Sequence, residues 1–429
     1  MFGVNLMIRI ADRQMRCKQL ALFVLLLTMC LPCLVNLIVG GLLRPLSQHI
    51  YAVQKLYRME LIKPLSGAYT QVEWPRAGWK GWFSGEFQKQ CEKYIEQNIG
   101  FRSFFVRFKN QVDYVLFSVS NSPKIVVGKS GYLYEQSYID AYLGRDFAGI
   151  VTLEKTVQEA KALQVALKDR NVDFFIVMAP GKASFFSEFI PDRYASLERK
   201  MTNHGYLQKR FQEEGIHHLD MYAEFMLMKQ TSPYRLYPKS GIHWSNYGAA
   251  MMAVSLKNHM EGLRHIKMTG VGWSNVVVTT VVRMPDNDLG ELMNTLFDIP
   301  QLPLAYPDVM FSADPAAVKP KVLVVGDSYY WNLIHGGFVK QLFGEEEFWY
   351  YNSSIFRNGE KSPFKVSEID VKSEVERQDF VVIMNTDACL GNLGHGFINQ
   401  AYNLFVRTPS FQDGGKCRQN SGPGRSEKL

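Results

Sequence analysis

An α/β fold, a mostly parallel sheet flanked by helices on both faces, is what this sequence predicts, and three observations carry the prediction. Helical and strand signals alternate from about residue 96 onward, the pattern of strands joined by helical crossovers. The strand signals are short continuous apolar runs, such as Val172 to Ala179 and Phe380 to Met384, as expected of strands covered on both sides. One of these runs ends in Gly326-Asp327-Ser328, which puts a serine at the carboxyl end of a strand, where open α/β sheets bind ligands.

Taken in order, the chain begins with Arg9, Arg13, Arg16 and Lys18 against a single acid, Asp12, followed by an uncharged apolar run from Leu20 to Gly40. About 20 such residues at ~1.5 Å each match a bilayer core of ~30 Å. The excess of positive charge before the run places the N-terminus in the cytoplasm and the rest outside. The reading is a cytoplasmic segment 1–19 and a transmembrane signal anchor 20–41, single-pass in an inner membrane, with the remainder periplasmic or extracytoplasmic. A cleaved signal peptide is the competing reading; Val39-Gly40-Gly41-Leu42-Leu43 continues the run without a clear small-x-small cleavage site. Residues 42–95 read as a juxtamembrane stalk with aromatic and Pro/Gly breaks, including Trp74-Pro75 and Gly78-Trp79-Lys80-Gly81-Trp82-Phe83.

The principal domain is expected over 96–412. Leu153, Val157, Ala160, Leu163 and Leu167 share one helical face, and the following strand stops at Pro180-Gly181. A polar helix from about Ala195 to Glu214 leads to a strand at Ile216 to Leu219, and Ser245 or Asn246 caps a helix running to about Leu263. Lys321 to Val325, Phe348 to Tyr351 and Phe380 to Met384 complete the strands, and a helix-like run spans Trp331 to Phe343. Residues 413–429 are polar and Gly-rich and read as a disordered tail.

Composition narrows the function classes. With 47% apolar and 21% charged residues the chain folds around a core, and no period of ~20 to 50 residues suggests a repeat architecture. The net charge of +7 is scattered, without a nucleic-acid motif. Cys17, Cys30 and Cys33 fall in or before the apolar run, which leaves Cys91, Cys389 and Cys417, too few and too dispersed for a disulfide framework.

A serine hydroxyl needs a base, and nine histidines are available as partners for Ser328. His335, seven residues on along the same predicted helix, lies ~10 Å away and out of reach. His217 and His218 are adjacent in a strand and point to opposite faces. His243 stands in a loop, Gly241-Ile242-His243-Trp244, just ahead of a capped helix whose positive end favours the neutral imidazole. No pair of histidines has zinc-ligand spacing with acidic or cysteine company.

Strand-Gly-Asp-Ser, a His-Trp about eighty residues earlier, Val126-Val127-Gly128-Lys129-Ser130-Gly131-Tyr132-Leu133-Tyr134 and the Met178-Ala179-Pro180-Gly181-Lys182 turn together resemble the alginate O-acetyltransferase family, the AlgJ- and AlgX-like SGNH proteins. The resemblance implies an SGNH-like sheet, Ser328 as nucleophile and His243 as general base. It also implies an acetyl donor delivered by a multi-pass membrane-bound O-acyltransferase, a polysaccharide acceptor, and neither metal nor nucleotide cofactor. The family pattern has an aspartate two residues before the histidine, where this chain has Gly241. Asp220, Asp286 and Asp288 are the candidates for the displaced acid, and a backbone carbonyl holding the ring in a Ser–His dyad is the alternative. For the oxyanion, the amides of Ser328 and Tyr329 and the side chain of Asn352 are the candidate donors, with Asn385 a turn former at the end of its strand. The expected activity is O-acetyl transfer to an extracellular or cell-surface polysaccharide through an acyl-serine. A carbohydrate esterase of the same fold and an inactive glycan-binding or scaffolding subunit are the two rivals.

Overall fold

A computed structural model describes residues 64–67, 72–76, 78–98, 102–312 and 314–407. The anchor expected at 20–41, the residues before it and the tail expected from 413 lie outside the described residues. Among the described residues no helix is long and apolar enough to cross a membrane.

A seven-stranded sheet organises the molecule, in spatial order β10-β9-β8-β7-β11-β3-β4. Its strands are β3 (Asp173–Ala179), β4 (His218–Asp220), β7 (Lys321–Gly326), β8 (Glu345–Tyr350), β9 (Ser354–Arg357), β10 (Glu360–Lys365) and β11 (Phe380–Thr386). The five strands from β8 to β4 are parallel, and β9 and β10 add an antiparallel edge. The sheet is therefore mixed at one side only, and mostly parallel with helices on both faces.

Alternation along the central strands explains their continuous apolar sequence. Phe175, Val177 and Ala179 of β3, Val322 and Val324 of β7, and Phe380, Val382 and Met384 of β11 face one core, shared with Leu256 and Met260 of the helix Asn246–Arg264. Their neighbours Phe174, Ile176, Leu323, Val325, Val381 and Ile383 face the other, beneath the helices Ile150–Lys168 and Asn203–Glu214. Each buried Leu, Val or Phe contributes ~1.5–3 kcal/mol, so a polar residue at any of these positions is costly. The predicted face Leu153, Val157, Ala160, Leu163, Leu167 is buried in this second core.

The helical run after Ser328 divides into Trp331–His335 and Phe338–Leu342, parted at Gly336 and Gly337, the latter with φ +76°. The polar helix expected from Ala195 starts at Asn203, where the Thr202 hydroxyl caps the Gly205 N–H. Two antiparallel pairs stand outside the main sheet: β1 (Ile125–Val127) with β2 (Leu133–Glu135), and β5 (Val271–Thr279) with β6 (Leu304–Phe311).

Candidate active site

All five parallel strands end at the same edge, and the chemistry-bearing residues collect there. β7 ends at Gly326, where a Cβ would fall 2.5 Å from the Met384 carbonyl oxygen, so only glycine lets the strand run this close to β11. Asp327 then fixes the turn: its carboxylate accepts from the Tyr329 N–H (3.1 Å), the Thr386 N–H (2.7 Å) and the Thr386 hydroxyl (2.8 Å). Ser328, partly exposed, is left on the outside of that turn.

The loop bearing His243 is held against the same turn from beneath. The buried Tyr329 hydroxyl donates to the Ile242 carbonyl (2.6 Å), and the Asn332 amide donates to the Trp244 carbonyl (3.1 Å). The Tyr329 ring packs against both His243 and Trp244, with centroids 4.9 and 5.0 Å away. Residues one and four places after the serine thereby fix the height of the histidine.

His243 Nε2 lies 3.0 Å from Ser328 Oγ, and His243 Nδ1 lies 2.8 Å from Asp288 Oδ2. A carboxylate only accepts, so Nδ1 carries the proton and Nε2 is the acceptor facing the serine hydroxyl. The second oxygen of Asp288 accepts from the N–H groups of Ile242 (2.8 Å) and Leu289 (2.7 Å), which locks the carboxylate to the histidine loop and to its own helix, Asp288–Leu292. Gly290 N–H donates to the Ser240 carbonyl at 3.0 Å, a further tie between helix and loop.

A buried lysine closes the far side of the loop. Lys182, 1% exposed, follows the Pro180-Gly181 turn at the end of β3 and donates through Nζ to the carbonyls of Lys239 (2.6 Å) and Gly241 (2.8 Å). Burial pushes its pKa well below the ordinary lysine value, with Asp288 pulling the other way and Lys239 adding to the depression.

The remaining predicted residues fall as follows. Asp220 is away from His243: it pairs with His204 (3.2 Å) and caps the Tyr222 N–H (3.0 Å). Asp286, 1% exposed, accepts from the Asn246 amide at 3.2 Å, and burial raises its carboxyl to about 6. The Tyr329 N–H is engaged by Asp327, which corrects the expectation of a free oxyanion donor there. Asn352 turns its amide to the His395 carbonyl and Gln400, both at 3.3 Å, and Asn385 bonds His395 and the Gly394 N–H. His335 stacks on Trp331, as a residue on its own helical turn does. Among the described residues no group of three or more potential metal ligands converges. Sequence reasoning missed Asp327, Thr386 and Asn332 as supports of the turn; the Asp of Gly-Asp-Ser was the available signal.

Residues 125–346 match the SGNH hydrolase-like domain of acetyltransferase AlgX, more than half of the chain. The chain belongs to that family. Among solved structures, the O-acetyltransferase domain of Pseudomonas putida AlgJ is 15% identical over 66% of this chain and 99% of its own, with a TM-score of 0.41. Pseudomonas aeruginosa AlgX is 14% identical over 67% of this chain and 68% of its own, with a TM-score of 0.44. Bacillus cereus PatB1 is 14% identical over 62% and 96%, with a TM-score of 0.38. No curated protein sequence matches the chain.

The absence of the acid that the resemblance leads one to expect at position 241 has a physical explanation here. A Cβ at position 241 would lie 2.7 Å from both the Asp286 carbonyl oxygen and Pro238 Cγ. The segment that delivers Asp288 to the imidazole occupies the space an aspartate side chain at 241 needs.

Proposed function

We propose that this chain is an O-acetyltransferase of an extracytoplasmic polysaccharide, working through an acetyl-serine on Ser328 with His243 as proton carrier and Asp288 as the acid that orients it. The observation that carries the reading is the contact of His243 with both Ser328 Oγ (3.0 Å) and Asp288 (2.8 Å) at the carboxyl edge of the sheet. Family membership supplies the acetyl-transfer chemistry.

In the first half-reaction the Ser328 hydroxyl proton moves to His243 Nε2 as Oγ bonds to the acyl carbonyl carbon. The tetrahedral intermediate collapses, the donor's leaving group takes that proton, and the acetyl ester remains on Oγ. In the second half a sugar hydroxyl gives its proton to Nε2, attacks the ester and leaves as the O-acetyl sugar, while Ser328 recovers its proton. Asp288 stabilises the imidazolium formed in each half and holds the tautomer. The Ser328 N–H, at the start of the turn, is the oxyanion donor in this scheme.

The N-terminal anchor, a multi-pass O-acyltransferase that hands over the acetyl group, and a glycan acceptor complete the proposal. Tethering suits an enzyme whose donor emerges at the bilayer. An inactive scaffold would be the natural reading of a site without an acid, and Asp288, 2.8 Å from His243 Nδ1, speaks against it. An esterase has the same catalytic groups and differs in letting water compete; water is present at ~55 M, so transfer requires a positioned hydroxyl.

The test has two parts. A sulfonyl fluoride should label Ser328, seen by peptide mass spectrometry, and fail on Ser328→Ala. Cells carrying Ser328→Ala should lose O-acetyl from their polysaccharide while keeping the protein at normal abundance. Undiminished O-acetylation would refute the proposal, and a rise in it would establish the esterase.

A further inference from the structure

The helix that presents Asp288 is only five residues long, Asp288–Leu292, and a single turn of helix has little stability of its own. Its last carbonyl and those just beyond need partners; apart from the Asn294 amide, which donates locally to the Leu292 carbonyl at 3.2 Å, the donors come from the segment ahead of the sheet. The Ser122 hydroxyl donates to the Leu292 carbonyl. The Asn110 amide, on the helix Arg102–Phe117, donates to the carbonyls of Met293 (3.0 Å) and Asn294 (3.1 Å). Arg107, three residues earlier on that helix, donates to the Thr295 carbonyl at 3.3 Å and with its other terminal nitrogen to the Pro64 carbonyl at 2.9 Å. Ser66 and Asn294 exchange two hydrogen bonds, of 2.6 and 3.0 Å.

Arg107 and Asn110 are 4% and 7% exposed, so these bonds are made out of water, where an unmatched polar group is expensive. An aspartate two residues before the histidine would be held by the histidine's own loop. Here the acid sits 45 residues further on, and its helix is clamped between the Ser240–Ile242 loop in front and the 107–122 segment behind.

We propose that Asn110, Arg107 and Ser122 are positioning residues of the reaction: they hold the Asp288 helix at the distance from His243 that keeps the imidazole oriented toward Ser328. Pro64 and Ser66, on the chain leading back to the N-terminal apolar run, belong to the same clamp. This inference rests on the assignment of Asp288 as the orienting acid. Displacing such a helix by ~1 Å weakens the Nδ1 contact without touching the acyl group, so the loss falls on turnover rather than on substrate affinity.

The experiment is a double-mutant cycle on the full-length protein in detergent micelles, with p-nitrophenyl acetate as the probe substrate and thermal unfolding recorded for every variant. Asn110→Ala should lower kcat about tenfold with KM changed less than about twofold, and Ser122→Ala, at a partly exposed site less able to unfold the protein, should lower it in the same direction by less. In an Asp288→Asn background both changes should lose their effect on kcat, because the contact they support is already gone. The same drop in that background as in the wild type would overturn the proposal in favour of a general structural role, and so would wild-type kcat in both single variants. If Asp288→Asn by itself keeps wild-type kcat, the acid assignment fails first, and that result is distinct from either of the others.

Discussion

At the scale of single residues, the acid that meets His243 lies far along the chain: Asp288, 45 residues on, stands 2.8 Å from Nδ1. The glycine at 241 and the aspartate at 288 belong to one packing arrangement, since the Asp286 carbonyl that would clash with a Cβ at 241 belongs to the segment carrying Asp288. Asp288→Asn should reduce acetyl-ester turnover by ~10²-fold or more, because an amide facing Nδ1 no longer selects the tautomer with a basic Nε2, and steady-state kinetics on the folded variant measures it. Adding Gly241→Asp to that variant puts an acid two residues before His243, yet it should give no recovery of rate and cost ~1–3 kcal/mol of stability from overpacking. Recovery of most of the rate would mean that the 285–288 segment yields easily. The pairing of Ser328 with His243, 3.0 Å apart, was legible in the sequence because its signals are local: a strand, a tight turn, a histidine before a cap. Asp288 was one of three candidates, since nothing within a few residues of an aspartate says which imidazole it meets 45 positions away.

At the scale of elements, strands and helices with a continuous apolar signal were readable, and those that depend on partners were not. β3, β7 and β11 are bounded closely by their apolar runs. β5, with its mixed exposure, is a strand because it pairs with β6, and the β9–β10 edge carries Glu360, Lys361 and Lys365, which no periodicity marks as extended. The helix Asn246–Arg264 was predictable from its cap, and the cap is testable. The fully buried Ser245 hydroxyl accepts from the Gly248 N–H (3.0 Å) and donates to the Arg235 carbonyl (2.7 Å). Ser245→Ala should therefore cost ~1–2 kcal/mol, at the upper part of the range for N-caps, read from denaturant unfolding. Since Ser245 stands two residues after His243, it should also lower turnover, and a variant with unchanged stability would show that the cap is idle.

At the scale of the whole molecule, the sheet buries ionisable groups whose proton affinities differ between the folded and unfolded chain, which couples stability to pH. Glu346 on β8 is the clearest case. It is 2% exposed, neither carboxyl oxygen has a hydrogen-bond partner in good geometry among the described residues, and the buried Tyr330 hydroxyl lies alongside. Burial raises its pKa from 4.5 to about 8, the Tyr330 contact opposing that rise in part. Between those two values the folded protein holds a proton that the unfolded chain has released, so folding takes up a proton and stability falls as pH rises. What this carboxyl allows in stability is fully present below pH 4.5 and is lost by about pH 8. Asp286, raised to about 6 by burial, acts in the same sense, whereas His259, lowered to about 4 by burial, acts in the opposite one. Comparing wild type with Glu346→Gln cancels those other groups and isolates this one. The variant has no proton to lose, so its stability relative to wild type should climb between pH 5 and pH 8 by on the order of a few kcal/mol, with near equality at the acid end. Urea unfolding of both proteins at several pH values in that interval measures the difference. A difference that stays flat with pH would mean that Glu346 gains a partner or water on ionising, and the packing behind the Ser328 turn would then be looser than its burial indicates.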